Sequence, residues 1–98
     1  ALIERAKDEP FFLYFSFYAV HAPVQGRPDL VEQYKQRPPG KRHRNPEYAA
    51  MVEAVDEAAG RVWAQLRHSG VADRTLIAFT SDNGGVCRRT SNNAPLRG

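Results

Sequence analysis

The chain has 98 residues, of which 42% are hydrophobic and 26% are charged, and its formal net charge is +3. This composition is typical of a globular protein, and the length allows at most one small domain with a single core. A lone cysteine excludes an intrachain disulfide framework and any zinc site built from several cysteines.

Membrane and targeting signals are absent from the sequence pattern. No apolar run approaches the roughly 18 to 20 residues of a membrane span, and the first residues, ALIERAKDEP, do not form a signal peptide. We therefore expect no membrane partner. The chain opens without Met, as an internal piece of a longer protein would.

The first predicted elements are a helix end and a strand. Residues 1–9 have apolar side chains at helical spacing, and Pro10 stops that helix. Residues 11–18, FFLYFSFY, form the strongest strand signal in the chain, because they are aromatic or aliphatic on both faces except at Ser16. Such a strand has to be covered on both sides, which favours core packing over a base-stacking platform.

A histidine follows this predicted strand directly. Pro23 biases Ala22 toward an extended conformation, so the loop that follows the strand is expected to be rigid. His21 lies at the start of this loop. A lone histidine is usually structural or solvated. Its position at the carboxyl end of a strand nevertheless makes His21 a candidate functional residue.

The next segment is a short helix and a basic loop. Residues 29–34, after Pro28, have the pattern of a brief amphipathic helix. Residues 35–44, KQRPPGKRHR, are either a solvated surface loop or a basic rim that attracts anionic substrates. Nucleic-acid binding is disfavoured, since no helix carries the charges along one face and no aromatic residues interleave them.

A long helix is predicted from Pro46 to near His68. Asn45 is a good N-cap, proline suits the first helical position, and Gly70 is a C-terminal stop. Its apolar residues recur every three or four positions. Gly60 lowers the helical propensity and is interpreted as a mark of close packing on a sheet.

The last predicted element is a short buried strand at residues 76–79, which leads into Thr80, Ser81, Asp82, Asn83 and Gly84. In open α/β sheets, ligands bind just beyond the carboxyl ends of such strands. Asp82 and Asn83 offer hard oxygen donors, which suit Ca²⁺ or Mg²⁺.

These elements together predict one right-handed βαβ crossover, with strands at residues 11–18 and 76–79 and the long helix between them. If the strands are parallel, His21 and the Asp82/Asn83 pair project from the same edge of the sheet. The sequence therefore predicts a functional site at that edge without naming its reaction.

Four segments in this order resemble the middle of a type I sulfatase of the alkaline-phosphatase-like superfamily: FFLYFSFYAVHAPVQ, NPEYAAMVEAVDEAAGRV, GVADRTLIAFTSDNGG and SNNAPLRG. The resemblance covers nearly the whole chain. It implies an α/β fold, in which residues 1–98 form an incomplete part of a sulfatase catalytic domain. The sheet would be of the alkaline-phosphatase-like kind, with helices packed on it.

The resemblance also implies roles for individual residues. Asp82 and Asn83 correspond to ligands of the active-site cation, usually Ca²⁺, with Mg²⁺ as the other candidate. His21 corresponds to the histidine that contacts the sulfate ester and assists its leaving group. The family nucleophile is a formylglycine made in a C/S-x-P-x-R segment. Cys87 lacks that context and is not the nucleophile, so the formylglycine is expected upstream of this chain.

The function expected from the resemblance is hydrolysis of a small-molecule or polysaccharide sulfate ester. The alternatives are a related metal-dependent phosphatase or phosphonate hydrolase and a non-catalytic anion-binding module. Sulfatases are commonly exported, periplasmic or lysosomal, and the chain itself does not choose a compartment. Alone, it is expected to be inactive and to bind the cation weakly or not at all. It is also expected either to self-associate through apolar sheet surface left uncovered or to depend on partner segments that are absent from it.

Overall fold

A computed structural model describes residues 1–85 and 92–95 of the chain. The helices are α1 (Leu2–Ala6), α2 (Pro28–Lys35) and α3 (Pro46–His68), and a short 3₁₀ turn covers Ala72–Arg74. α1, α2 and the 3₁₀ turn all pack against α3. No helix in the described part of the chain is both long enough and apolar enough to cross a membrane.

Both ends of α3 lie where the sequence predicts them. The Asn45 side chain accepts hydrogen bonds from the backbone N–H of Glu47 (2.9 Å) and of Tyr48 (3.2 Å), which is an N-cap. At the other end, Gly70 has φ of 68°. The N–H of Gly70 donates to Arg67 O and the N–H of Val71 donates to Leu66 O, both at 3.1 Å. This is a Schellman motif, in which a left-handed glycine ends the helix.

The buried side chains form two small clusters on α3 rather than one continuous core. Near its C-terminal end, Leu66 packs with Ile3 of α1 and Val71, and Phe11, Val62 and Ala72 flank them. Near its N-terminal end, Ala50 packs with Leu30 and Val31 of α2, and Tyr34 and Ala54 flank these three residues. α3 is therefore the element through which the other helices are held together.

A close backbone approach at Gly26 sets the position of α2 on α3. A Cβ atom built on Gly26 would lie 2.6 Å from the Ala50 Cβ and 2.9 Å from the Glu47 carbonyl oxygen. The Gly26 N–H also donates to Glu47 Oε2 at 2.7 Å. A Cβ built on Gly60 would meet no atom of the described residues within 4 Å, and since these residues include no sheet, the predicted close packing of Gly60 on a sheet stays a prediction.

An ion-pair network fixes the start of α2. The Arg27 guanidinium donates to both carboxylate oxygens of Asp29, at 3.1 and 2.6 Å, and to Glu57 Oε2 of α3 at 2.6 Å. Arg27 lowers the pKa of the Asp29 carboxyl to about 2, and the two carboxylates, Asp29 first, raise the pKa of Arg27. All three side chains are partly exposed, so the surrounding water weakens these pairs.

The predicted βαβ crossover is not confirmed, because the described residues contain no β-strand. Residues 11–18 and 76–79 are not assigned to any regular element, and Phe12 and Leu76 are 90% and 94% exposed. A strand exists only as part of a hydrogen-bonded ladder, so these apolar segments need neighbouring strands to become strands. Self-association through the exposed apolar side chains stays a prediction.

Replacing Gly26 and Gly60 separately tests the packing of α2 on α3. Gly26→Ala should lower the free energy of unfolding by about 1–3 kcal/mol, because the new methyl group overlaps Ala50. Gly60→Ala should raise it by roughly 1 kcal/mol, because Ala is the better helix former and has free space there. Urea unfolding of both variants measures the two changes, and equal effects would contradict the described packing.

The Arg27 network predicts an acid-sensitive contribution to stability. The pKa of Asp29 is lowered from 3.8 to about 2 on folding, so the unfolded chain binds more protons between these values. The contribution is complete above about pH 4 and is lost as the pH falls through 2. Asp29→Asn should therefore reduce the slope of stability against pH in this window, as followed by urea unfolding. Asp56→Asn, a change of an exposed carboxylate on α3, is the matched control.

Candidate functional site

His21 lies in a tight turn that follows the first apolar segment. Its backbone N–H donates to Tyr18 O at 3.0 Å, and its ring lies 5.3 Å from the Tyr18 ring, centroid to centroid. The Tyr18 hydroxyl donates to Ala22 O at 3.1 Å, and His21 Nδ1 lies 2.7 Å from the same oxygen. Two side chains thus converge on one carbonyl group, and the imidazole itself is exposed.

These contacts select the protonation pattern of the imidazole. A carbonyl oxygen can only accept a hydrogen bond, so Nδ1 of His21 has to carry the proton in this contact. Nε2 is then the ring nitrogen that could exchange a proton with a bound molecule. A histidine oriented by a backbone carbonyl in this way is suited to acid–base work at Nε2.

Asp82 and Asn83 lie in an exposed turn after the second apolar segment. Asn83 Nδ2 donates to Asp82 Oδ2 at 3.0 Å, which orients the two side chains relative to each other. The Gly84 N–H donates to Ser81 Oγ at 3.2 Å, and Gly84 has φ of 74°, a conformation that favours glycine. The turn therefore presents one carboxylate and one amide oxygen on adjacent residues.

Asn93 is a structural residue of this turn that the sequence reasoning missed. Its Oδ1 accepts from the Gly85 N–H at 3.1 Å, and its Nδ2 donates to Gly85 O at 3.0 Å. One amide side chain thus satisfies both backbone groups of Gly85 and ties the turn to the segment at residues 92–95. Only the residue type could have indicated this role, because Asn side chains commonly form hydrogen bonds with backbone groups in loops.

The fit of a divalent cation depends on the donors present. The oxygens of Asp82 and Asn83 are of the type that Ca²⁺ and Mg²⁺ prefer, but Ca²⁺ takes about six to eight oxygens and these residues supply a minority. The described residues include no group of three or more His, Cys, Asp or Glu side chains that could hold a metal ion. The pair fits as part of a cation site and not as a whole one.

His21 and the Asp82/Asn83 pair, the two halves of the predicted site, each have local contacts within their own segment of the chain. His21 makes the contacts described above with Tyr18 and Ala22, whereas Asp82 bonds Asn83. That His21 and the Asp82/Asn83 pair meet at one sheet edge therefore stays a prediction. Cys87, which the sequence excludes as a nucleophile, lies outside the described residues.

Comparison with known proteins identifies the class. The family model described as Sulfatase matches residues 1–98. The chain is 41% identical to a sulfatase of Formosa agariphila over 96% of the chain and 19% of that protein. It is 38% identical to arylsulfatase J of Mus musculus over 92% of the chain and 14% of that protein. No solved structure matches it.

The chain therefore belongs to the sulfatase family, whose fold is alkaline-phosphatase-like α/β. It is also 36% identical to N-acetylgalactosamine-6-sulfatase of Homo sapiens, over 82% of the chain. The chain spans between 14% and 19% of the length of these three relatives. The resemblance noted in the sequence is confirmed at the level of the family.

The contact of Asn93 with Gly85 is testable by hydrogen exchange. Asn93→Ala removes the acceptor of the Gly85 N–H, so that amide should exchange roughly fivefold faster, as for the loss of a hydrogen bond worth about 1 kcal/mol. Asn92→Ala is the matched control, because Asn92 Oδ1 accepts instead from the Ala94 N–H. Unchanged exchange at Gly85 in the Asn93 variant would contradict the contact.

Proposed function

We propose that residues 1–98 are part of a sulfatase catalytic domain that hydrolyses sulfate esters, and that they supply one proton-transfer group and part of a cation site. The observation that carries this proposal is the match of the sulfatase family model to the whole chain. The relatives named above support it, since each is named as a sulfatase. The remaining cation ligands belong to parts of the domain that this chain does not include.

In this proposal, Asp82 and Asn83 bind a divalent cation, Ca²⁺ or Mg²⁺. The turn suits that role because the hydrogen bond from Asn83 to Asp82 holds the two side chains together and Asn93 anchors the following glycine. A bound cation supplies positive charge that stabilises the sulfate oxygens in the transition state. The nucleophile is a formylglycine outside this chain, which contains no C/S-x-P-x-R segment.

His21 acts on the leaving group. With Nδ1–H donated to the Ala22 carbonyl, the protonated ring presents Nε2–H to the ester oxygen. When the S–O bond breaks, its electron pair stays on that oxygen, and the Nε2 proton neutralises the alkoxide that forms. The same carbonyl accepts from the Tyr18 hydroxyl, which helps to hold the loop and with it the ring.

The matched pair of variants His21→Ala and Asp82→Ala tests these roles in the complete catalytic domain. His21→Ala should lower kcat by about 10² to 10⁴, as for the loss of a general acid, and should leave the metal content unchanged. Asp82→Ala should lower both kcat and metal content. Elemental analysis and steady-state kinetics measure the two quantities.

The choice of leaving group makes this test sharper. The loss caused by His21→Ala should be larger for phenyl sulfate than for 4-nitrophenyl sulfate, because nitrophenolate leaves with less help from a proton. An equal loss for both esters would remove His21 from the proton-transfer role. Faster hydrolysis of an aryl phosphate than of the matching sulfate would favour the related phosphatase or phosphonate hydrolase instead.

A further inference from the structure

The Asn83–Gly84 bond joins an asparagine to a residue without a side chain, in an exposed turn. Asparagine is among the chemically labile residues that heat-resistant proteins use sparingly. Its side-chain carbon, Cγ, can reach the backbone nitrogen of the following residue and close a ring on it. Gly84 has no Cβ atom that would obstruct this approach. Both residues are open to the water that the reaction consumes.

We propose that Asn83 is a site of spontaneous deamidation. Hydroxide removes the N–H proton of Gly84, the nitrogen attacks Asn83 Cγ, and the Cγ–Nδ2 bond breaks. Nδ2 takes up a proton from water and leaves as ammonia, and a succinimide ring remains. Water then opens the ring at either carbonyl carbon, which leaves aspartate or isoaspartate at position 83. The reaction consumes one water and releases one ammonia, and no oxidant or cofactor takes part.

The other three asparagines of the chain are less suited to this reaction. Asn45 precedes Pro46, whose nitrogen carries no proton and cannot attack. Asn92 and Asn93 are each followed by a residue with a side chain, whose Cβ obstructs the approach. Both amide atoms of Asn93 are also held in hydrogen bonds to backbone groups. Position 83 is therefore expected to react first.

Ser81 controls how readily Gly84 reacts. The Gly84 N–H donates to Ser81 Oγ at 3.2 Å, so the proton that has to leave is held in a hydrogen bond. This bond has to open before the nitrogen can attack, and opening it costs about as much free energy as one exposed hydrogen bond contributes. The turn thus contains both the reactive bond and a partial protection of it.

Deamidation changes the proposed cation site. In the proposed function, Asn83 offers the oxygen of a neutral amide beside the Asp82 carboxylate. Aspartate at position 83 adds a negative charge to this pair, and isoaspartate also inserts a methylene group into the backbone, which displaces the oxygen donors. A cation bound to Asn83 Oδ1 holds the side chain and keeps Cγ away from the Gly84 nitrogen, so the cation protects its own ligand. This protection rests on the proposed function, whereas deamidation itself does not.

Peptide mapping of the complete catalytic domain by mass spectrometry tests the site. The domain is freed of metal with a chelator and incubated at neutral pH, and the conversion of amide to carboxyl is followed at all four asparagines. Ser81→Ala should speed the reaction at position 83 by roughly twofold to tenfold, because it removes the acceptor of the Gly84 N–H. Thr80→Ala is the matched control and should leave the rate unchanged, since the Thr80 hydroxyl donates to Ser81 O instead.

The same measurement with added Ca²⁺ separates this inference from the proposed function. Ca²⁺ should slow the reaction at position 83 and leave that at Asn92 unchanged. If elemental analysis shows bound Ca²⁺ and the reaction is not slowed, cation binding by Asn83 is overturned and the deamidation site stands.

Two results would overturn the inference itself. One is a reaction at Asn92 or Asn93 as fast as that at position 83, and the other is an equal rate in the Ser81 and Thr80 variants. Hydrolysis of sulfate esters by the Ca²⁺-loaded domain would still support the proposed function in either case.

Discussion

The described structure depends on how α2 is held against the start of α3. The Asn45 side chain caps α3 and fixes where its first turn begins, and Glu47 in that turn accepts the Gly26 N–H at 2.7 Å. Because Gly26 has no side chain, the backbone lies directly on Ala50. Leu30 and Val31 can then bury against the same helix.

The helices could be predicted from the sequence because their signals are local. Asn45, Pro46 and Gly70 mark the ends of α3 through capping chemistry that needs no distant partner, and the structure confirms both ends. The strands at residues 11–18 and 76–79 were predicted from apolar composition alone. Strand formation needs hydrogen-bonding neighbours that residues 1–85 and 92–95 do not supply. The close packing at Gly26 could not be predicted for a similar reason. It depends on tertiary contact with Ala50, which the local sequence pattern does not indicate.

The candidate site was predicted in part. The residue types at His21, Asp82 and Asn83 indicated acid–base and cation chemistry, and the structure adds how each side chain is oriented. The sharing of Ala22 O by two side chains and the bonding of Gly85 by Asn93 are matters of geometry, which no sequence pattern specifies. Membership of the sulfatase family supports the proposal that these residues serve one site. We propose in addition that the segment with the proton donor, His21, meets the segment with the cation ligands, Asp82 and Asn83.

An experimental structure of the complete catalytic domain with bound Ca²⁺ tests most directly whether His21 and the Asp82/Asn83 pair lie at one site. The account predicts that oxygens of Asp82 and Asn83 lie about 2.3 to 2.6 Å from the cation. It also predicts that Nε2 of His21 points into the same cavity, with Nδ1 still bonded to Ala22 O. A cation bound without residues 82 and 83, or an imidazole on the opposite edge of the sheet from them, would contradict it.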